Sequence, residues 1–360
     1  MGLLPEDIPI PDEQSVVYDP NLVSDSTLAV GRLDGSIKDY VSDQNLILSL
    51  FFRKEAETST RIEGTHVTFE GVMLESEDGD AHEERSARLE ALGVVDAIHE
   101  GLEALERENI PISNRVIKRM HGALMKKAQL EYGPPGEFRK LQVKVGSHIP
   151  PEPQYVPSLM SDLEKYIHDE PNVPPIVKIA IVHAQFEIIH PFSDGNGRVG
   201  RLLIPFLMKQ YRLTRDASFF ISQYFESSKR DYYDSLESIT KKDDWNGWID
   251  FFLQSVKEHG IETEKKVDEL TGLYRDGEFL SFKSALSQHI KNHVFRNPIF
   301  TVPSMVRTLE GSGVAISNRN DLHRILTNCT DVKVLVQGKG KRQTRYTCPK
   351  IVQVINNIYS

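Results

Sequence analysis

The chain has 360 residues, of which 39% are hydrophobic, and a formal net charge of −9 at pH 7. This length allows a sizeable buried core and more than one domain. Its two cysteines, at 329 and 348, are too few for a disulfide framework, and no apolar run approaches the ~20 residues of a membrane span. The acidic, proline-rich start does not resemble a secretory signal, so we expect a soluble cytoplasmic protein.

The first third of the chain predicts an extended arm followed by helices. Residues 1–24 carry repeated prolines and acids, which favour an arm over a larger body. Helix-forming residues with a mixed apolar stripe predict a helix over 45–63. An acidic run at 76–88 leads into a predicted helix over 86–106. Pro111 and Ser113 open another helix that runs to about residue 130.

The middle of the chain alternates turn residues with helical segments. Gly133-Pro134-Pro135-Gly136 stops the preceding helix. In 138–149, Leu141, Val143 and Val145 alternate with polar residues, which predicts a β-hairpin or flap. Further helices are predicted over 158–168, 175–189, 197–211, 226–239 and 245–275.

A twelve-residue segment, HPFSDGNGRVGR at 190–201, lies between two of these helices. Proline disfavours the α conformation in the residue before it, so His190 is expected at a helix end. The glycines on either side of Asn196 permit positive φ and leave backbone N–H groups uncovered, which favours an anion-binding nest. The next helix begins there, and its N-terminus also attracts anions.

The charged residues of this segment fit a phosphate ligand. Arg198 and Arg201 are three positions apart and share a helix face, where two guanidinium groups can bind neighbouring phosphates. Asp194 can ligate a Mg²⁺ that bridges phosphate oxygens. His190 has an ordinary pKa suited to proton abstraction near neutral pH. Each residue alone is more often structural, but their joint spacing predicts a phosphoryl-transfer site.

The segment resembles the Fic family motif HPF-x-[DE]-GNGR-x-x-R at every defined position. The resemblance extends over about 1–275 through the N-terminal arm, the GEFR before the flap and the stretch 243–253. It implies a mainly α fold, a multi-helix Fic core with a small β-hairpin flap. The pattern of residues 281–360 separately predicts a C-terminal winged-helix (α+β) domain. The resemblance also implies transfer of AMP from ATP to a Ser, Thr or Tyr hydroxyl of a target protein.

The resemblance also implies a role for each residue of the motif. His190 would deprotonate the target hydroxyl, and Asp194 would hold Mg²⁺. Gly195, Asn196 and Gly197 would stabilise the α-phosphate, while Arg198 and Arg201 would bind the β- and γ-phosphates. Phe192 would bury its ring and fix the loop. The flap would hold the target segment by main-chain pairing, through Lys140, Leu141, Gln142, Val143, Lys144 and Val145.

An inhibitory motif is implied upstream of this core. STRIEG at 59–64 is similar to the Fic pattern [ST]-x-x-x-E-[GN], and Ser59 and Glu63 share a helix face. The resemblance implies that Glu63 pairs with Arg201 in place of the γ-phosphate, with Ser59 supporting it by hydrogen bonding. In some relatives the same glutamate serves removal of AMP, so the direction of the reaction stays open.

The C-terminal residues 281–360 differ in charge from the rest. They hold twelve Lys or Arg and three Asp or Glu, a balance of +9 that leaves −18 for the remainder. Three predicted helices and a hairpin resemble a winged helix, with 317–328 as its recognition helix. DNA binding and protein contacts are equally favoured; the candidate phosphate contacts are Arg319, Arg324, Lys339, Lys341, Arg342 and Arg345.

We therefore predict three regions: an N-terminal arm and inhibitory helix at 1–100, a catalytic core at 101–275 and a winged-helix-like domain at 281–360. The alternatives are transfer of another nucleotide or of phosphate, removal of AMP, or a nucleotide-sensing DNA-binding regulator. Self-modification and homodimerisation stay open, and no membrane partner is expected. Tyr232 and Tyr233 are candidates for either an adenine pocket or the core. His183, which shares a helix face with Glu187 and His190, is interpreted as a packing residue.

Overall fold

The computed structural model describes residues 4, 9–40, 45–74, 82–128, 133–170, 172–282, 284–316, 318–336 and 343–357. Helices dominate these residues, and their strands form one small antiparallel sheet near the C-terminus. The predicted mainly α fold is thus confirmed. None of the described helices combines the length and the apolar character that a membrane crossing needs.

The helices up to the motif are α1 (Pro20–Tyr40), α2 (Asn45–Ile62), α3 (Phe69–Met73), α4 (His82–Leu102), α5 (Asn114–Ala128), α6 (Val156–His168) and α7 (Pro175–Ile189). After it come α8 (Asn196–Gln210), α9 (Ser222–Ser227), α10 (Lys229–Lys242) and α11 (Trp245–Arg275). Each helix predicted in this part of the chain is present, with ends displaced by a few residues. The helix predicted at 226–239 is divided into α9 and α10.

Helix α1 begins inside the segment that was predicted as an extended arm up to residue 24, so that prediction was wrong for residues 20–24. Pro20 is the first helical residue, where its missing N–H removes no hydrogen bond. Val30 and Leu33 are fully buried and lie one turn apart. The helix packs closely on α11, because a Cβ at Gly260 would lie 2.9 Å from the Cβ of Ala29.

Helices α7 and α8 form the centre of the core and hold the motif loop between them. Helix α7 is apolar on nearly all sides, and Ile179, Val182 and Phe186 are fully buried. It packs against α6, α8, α10 and α11. Helix α8 is buried from Asn196 to Met208. The loop 190–195 is therefore anchored at both ends by rigid, buried helices.

The segment 138–149 differs from the predicted hairpin. Its described residues contain one β-bridge, between Val145 and His148, and no paired strands. The physical reason lies in the residues that would form the second strand. Pro150 and Pro151 follow at once and have no N–H to donate to a ladder. The flap is thus an extended segment with a tight turn.

The C-terminal unit contains α12 (Ser287–Arg296), β1 (Ile299–Thr301), α13 (Val302–Gly311), α14 (Arg319–Thr327), β2 (Lys333–Val336), β3 (Arg345–Thr347) and α15 (Pro349–Asn356). The sheet order is β1-β3-β2, with both pairings antiparallel. Strand β1 and helix α15 were not predicted. Residues 299–301 were too short a run to separate from the helix that follows, which Thr301 caps. Lys339, Lys341 and Arg342 lie outside the described residues.

This unit contacts the second helix of the chain. Helices α12 and α15 both pack against α2. Arg53 Nη2 donates to Asn297 Oδ1 at 3.4 Å, and Lys54 Nζ donates to Asn356 Oδ1 at 3.0 Å. Helix α2 therefore lies between the C-terminal unit and the rest of the core.

Candidate active site

The loop between α7 and α8 begins and ends with left-handed residues. His190 caps α7 with φ 49°, and its N–H donates to the carbonyl of Phe186 at 3.0 Å. Gly195 has φ 78° and caps α8. This conformation costs little for glycine but is uncommon for histidine. The surrounding contacts must therefore hold His190 in place.

Arg139 supplies one set of those contacts. Its side chain is buried, and Nε donates to the carbonyl of His190 at 2.8 Å while Nη2 donates to the carbonyl of Pro151 at 2.5 Å. Its backbone N–H donates to the carbonyl of Pro191 at 2.9 Å. A cation is favourable at the C-terminus of α7, where carbonyls are unpaired. Arg139 thus ties the flap to the loop, a role that the sequence alone did not show.

Asn196 closes the loop on itself. Its Oδ1 accepts from the N–H of Phe192, and its Nδ2 donates to the carbonyl of Phe192, both at 2.8 Å. The side chain is buried and fully used by these two bonds. The backbone N–H groups of Asn196, Gly197 and Arg198 stay free of intrahelical partners, because the first helical bond is from Val199 to Gly195. These three donors lie where the sequence predicts an anion nest.

Phe192 is fully buried, as predicted, and its ring packs in an aromatic cluster. His121 from α5 stacks on it with ring centroids 3.8 Å apart. Nδ1 of His121 accepts from the N–H of Gly136 at 2.9 Å, so Nε2 carries the proton that it donates to the carbonyl of Asp194 at 3.1 Å. Burial lowers the pKa of His121 to about 4, so the ring is neutral. His121 positions the loop, although its place in the sequence gave no sign of this.

Arg198 lies between two carboxylates. Its Nη2 is 3.0 Å from Asp194 Oδ1, and its Nη1 is 3.2 Å from Glu90 Oε2 on α4. Asp194 Oδ1 also accepts from the N–H of Gly195 at 2.5 Å. The Arg198 side chain is 3% exposed, whereas that of Asp194 is 32% exposed. Glu90 therefore orients Arg198 from a helix far away in sequence.

Arg201 is fully buried and held by α2. Its Nε donates to Ser59 Oγ at 3.0 Å, and its Nη2 donates to the carbonyl of Ser59 at 2.8 Å and to Glu63 Oε1 at 2.7 Å. Burial disfavours the charge of Glu63, but the ion pair and hydrogen bond with Arg201 outweigh it and lower the pKa of Glu63. Both groups are therefore charged at neutral pH.

The Glu63 carboxylate also lies against the start of α8. A Cβ at Gly197 would overlap Glu63 Oε1, so glycine is required while Glu63 is in this position. Glu63 thus occupies space beside the free N–H donors of the nest. A carboxylate is an anion, and a helix N-terminus stabilises it as it would a phosphate.

The ring of His190 is uncharged at neutral pH. Burial lowers its pKa to about 4, so the ring is neutral and able to accept a proton at physiological pH. Its neighbour Glu187 shows the opposite effect, since burial raises the pKa of that carboxyl to about 8. Glu187 Oε1 has no hydrogen-bond partner among the described residues. At neutral pH a protonated Glu187 and a neutral His190 therefore lie side by side.

The structure separates the two candidate tyrosines. Tyr232 is buried, and its hydroxyl is 3.0 Å from Nε2 of His183, whose Nδ1 is 3.0 Å from the carbonyl of Gly200. His183 and Tyr232 are therefore packing residues. Tyr233 is 39% exposed and lines a cavity next to His190 with about 1010 Å³ of free space, part of it open to solvent.

The flap turn and helix α10 form two walls of this cavity. Its lining includes Val145, His148, Leu236 and Thr240 besides Tyr233. His148 from the flap is 3.0 Å from the carbonyl of Ile188, and Ser147 bonds to Glu237 of α10. The flap turn is thus fixed at the edge of the cavity, whereas Lys140 and Leu141 before it are exposed.

The fold and the loop define a Fic/DOC protein. The chain matches the Fic/DOC family over residues 111–208 and the N-terminal region of the Fic/DOC family over residues 21–103. The two matches adjoin and together cover about half of the chain. The chain therefore belongs to the Fic/DOC family.

Two curated relatives carry the name protein adenylyltransferase. The chain is 47% identical to protein adenylyltransferase Fic of Culex quinquefasciatus over 75 residues, 20% of this chain and 15% of that protein. It is 36% identical to protein adenylyltransferase fic-1 of Caenorhabditis elegans over 106 residues, 29% of this chain and 20% of that protein. The chain thus spans a fifth or less of the length of these relatives.

Solved structures share the fold. A Fic family protein from Desulfovibrio desulfuricans G20 has a TM-score of 0.56 at 19% identity, covering 92% of this chain and 97% of that one. Fic-1 (aa134–508) from C. elegans has a TM-score of 0.54 at 22% identity, covering 69% and 72%. At these identities the likeness concerns the fold alone.

Proposed function

We propose that the chain transfers AMP from ATP to a Ser, Thr or Tyr hydroxyl of a target protein and releases pyrophosphate. The observation that carries the proposal is the convergence of a neutral His190, three free N–H donors and two buried arginines on one loop. These are a base, an anion nest and two phosphate ligands. The names of the relatives support AMP as the transferred group.

In the proposed reaction, a ring nitrogen of His190 takes the proton of the target hydroxyl. The hydroxyl oxygen forms a bond to the α-phosphorus, and the bond from that phosphorus to the bridging oxygen of pyrophosphate breaks. The N–H groups at the start of α8 stabilise the negative charge that develops on the α-phosphate. Arg198 and Arg201 hold the β- and γ-phosphates, which orients the α-phosphate toward the hydroxyl.

Asp194 fits a Mg²⁺ bound together with the nucleotide. One of its oxygens accepts hydrogen bonds from Gly195 and Arg198, and the partly exposed carboxylate leaves the other oxygen for a cation. Mg²⁺ in such sites takes one or two carboxylates, phosphate oxygens and water. When bound, it would neutralise phosphate charge.

We propose that the cavity beside His190 takes the nucleobase. Its size suits a base and ribose, and its walls combine the exposed Tyr233 ring with Val145 and Leu236. The flap before it leaves its main chain open, since the N–H groups of Leu141 and Val143 have no partner among the described residues. These groups suit main-chain pairing with an extended target segment.

We further propose that Glu63 inhibits the enzyme. It pairs with the arginine that would bind the γ-phosphate and places a negative charge beside the nest. A bound triphosphate would need to displace this carboxylate. The proposed regions are then 1–100 with the inhibitory α2, the core 101–275, and a C-terminal unit at 281–360.

Labelled ATP tests this function. Glu63→Gly should incorporate α-³²P label into protein well above wild type, and Glu63→Gln should fall between them because it keeps a weaker hydrogen bond to Arg201. His190→Ala in the Glu63→Gly protein should remove the signal, whereas the exposed His168→Ala should not. Incorporation of γ-³²P label would instead show phosphate transfer. Equal rates in Glu63→Gly and wild type would contradict the inhibitory role.

For the C-terminal unit we propose a winged helix that binds DNA. The supporting observations are its helix and strand order and the exposed Arg319 and Arg324 on α14, the helix in the recognition position. Duplex DNA should bind with an affinity that falls steeply as salt rises. Arg319→Gln should weaken binding, and no binding at low salt would favour a protein-contact role.

A further inference from the structure

A second large cleft separates the C-terminal unit from α2, α3 and α4. It has about 1020 Å³ of free space, part of it open to solvent, and shares no lining residue with the cavity beside His190. Part of its lining is apolar and includes Val72, Met73, Leu92 and Phe300. The remainder is polar. This combination suits a small ligand with an apolar body and a polar group.

The polar part of the lining is basic. Arg53 of α2, His293 of α12 and Arg307 of α13 contribute from three different helices. None of the described residues that line the cleft is acidic. The other polar groups are Asn297, Thr301, Ser304, Thr308 and Gln343. The cleft therefore presents donors and positive charge, which favour an anion.

Arg53 pairs with no carboxylate among the described residues. Its guanidinium donates to the carbonyl of Ser49 at 3.0 Å and to Asn297 Oδ1 at 3.4 Å, and both acceptors are uncharged. Burial lowers the pKa of Arg53 below its usual value, as expected for a cation removed from water without a carboxylate. An anion bound in the cleft would supply the missing counter-charge.

His293 is the second residue whose environment favours a ligand-binding site in the cleft. The residue is 3% exposed, and neither ring nitrogen has a hydrogen-bond partner among the described residues. Burial, together with the charges of Arg296 and Arg53, lowers the pKa of His293 to about 3, so one nitrogen carries a proton to donate. An unpaired buried donor destabilises the fold, and a hydrogen bond to a ligand oxygen would remove that cost.

We propose that this cleft binds a phosphate group carried by a small organic molecule. The phosphate oxygens accept hydrogen bonds from Arg53, His293 and Arg307, and the organic part packs on the apolar wall around Phe300. Arginine is the preferred partner of phosphate because its planar guanidinium binds two oxygens at once. Thr301 and Ser304 also line the cleft, where each caps the start of α13 through the other's backbone N–H.

The experiment compares two probes by isothermal titration calorimetry: phenyl phosphate and inorganic phosphate. Phenyl phosphate is expected to bind wild type at one saturable site in the cleft, about tenfold more tightly than inorganic phosphate, because burying its ring adds more than 1 kcal/mol. Equal affinity for the two probes would overturn the organic ligand and leave a site for free phosphate only.

Variants locate the site. Arg53→Gln and Arg307→Gln are each expected to weaken phenyl phosphate by roughly tenfold or more, since each removes a charged hydrogen bond. Arg107→Gln is the matched control, because this exposed arginine does not line the cleft. His293→Leu is expected to lose affinity while its thermal stability stays equal or rises, since it removes an unpaired buried donor. Lost stability with unchanged affinity would make His293 merely structural and overturn its role.

The loop at 194–198 could itself bind phosphate under the proposed function, so Arg198→Ala is titrated in parallel. Binding that persists in Arg198→Ala and weakens in Arg53→Gln supports the cleft. The reverse pattern would place the ligand at the loop and overturn the proposal. Glu75, Glu77, Asp78 and Asp80 follow Leu74 in sequence and lie outside the described residues. If phenyl phosphate bound only after these four residues were replaced by neutral ones, the chain's own acidic segment would be the ligand of the cleft, and the proposal would fail.

Discussion

Ser59 binds Arg201 twice, with its hydroxyl 3.0 Å from Nε and its carbonyl 2.8 Å from Nη2. Both residues are buried, so these bonds fix the guanidinium before any nucleotide arrives. The geometry also aims Nη2 at Glu63. Ser59 therefore holds Arg201 in the position in which Glu63 can pair with it.

Ser59→Ala is expected to destabilise the protein and to raise AMP transfer partly. It leaves Nε of Arg201 buried without an acceptor, which costs ~1–3 kcal/mol of unfolding free energy. A less firmly held Arg201 should release Glu63 more readily. Urea unfolding and α-³²P incorporation measure the two effects. Ser255→Ala is the control, because it removes an equally buried hydroxyl that donates to the carbonyl of Phe251 and, among the described residues, bonds to neither Arg201 nor Glu63; transfer unchanged in both variants would contradict this role of Ser59.

His121→Phe, made in the Glu63→Gly protein, is expected to slow AMP transfer by roughly tenfold or more. The ring can still stack on Phe192, but the N–H of Gly136 and the carbonyl of Asp194 lose their partners, at ~1–3 kcal/mol for each buried group. The loop should then hold phosphate less well. Steady-state kinetics should show a higher KM for ATP, and unaltered kinetics would mean that stacking alone positions the loop.

The rate of AMP transfer by Glu63→Gly should not depend on His190 titration above pH 5. Burial lowers the pKa of His190 to about 4, and the charge of Glu63 raises it slightly, so removing Glu63 lowers it further. The base is then neutral through the whole range from pH 5 to 7. A pH profile of kcat over that range should be flat, and an acid limb with a midpoint near 6.5 would show a solvated histidine instead.

Glu187→Gln, made in the Glu63→Gly protein, should leave the rate of AMP transfer at pH 7 unchanged within about twofold, since burial keeps the Glu187 carboxyl largely neutral at that pH. Burial, with a contribution from the charge of Glu63, raises its pKa to about 8, so in Glu63→Gly the carboxyl ionises below that pH and a negative charge appears near Arg201 and the phosphates as the pH rises above 7. The Glu63→Gly protein should thus lose affinity for ATP between pH 7 and 9, whereas the same protein with Glu187→Gln should not. Parallel KM measurements at pH 7 and 9 test this, and matching losses in both proteins would contradict it.

Local patterns in the sequence predicted most of the core helices and the ends of the motif loop. Proline restricts the residue before it and glycine permits positive φ, which is why His190 could be placed at a helix end and Gly195 in a turn in advance. Arg139, His121 and Glu90 could not, because they reach the loop from distant elements through tertiary packing. Helix α1 was missed because its glycines dilute the helical pattern, and the hairpin failed because alternation alone does not provide a second strand.

The most direct test of AMP transfer and of its inhibition by Glu63 is the intact mass of the purified Glu63→Gly protein after incubation with ATP and Mg²⁺. We predict a gain of one AMP on the chain or on an added target, absent from Glu63→Gly with His190→Ala, and peptide mapping should place it on a Ser, Thr or Tyr. A gain of phosphate would contradict AMP transfer. An unchanged mass of both the chain and its targets would contradict the release of the site by removal of Glu63.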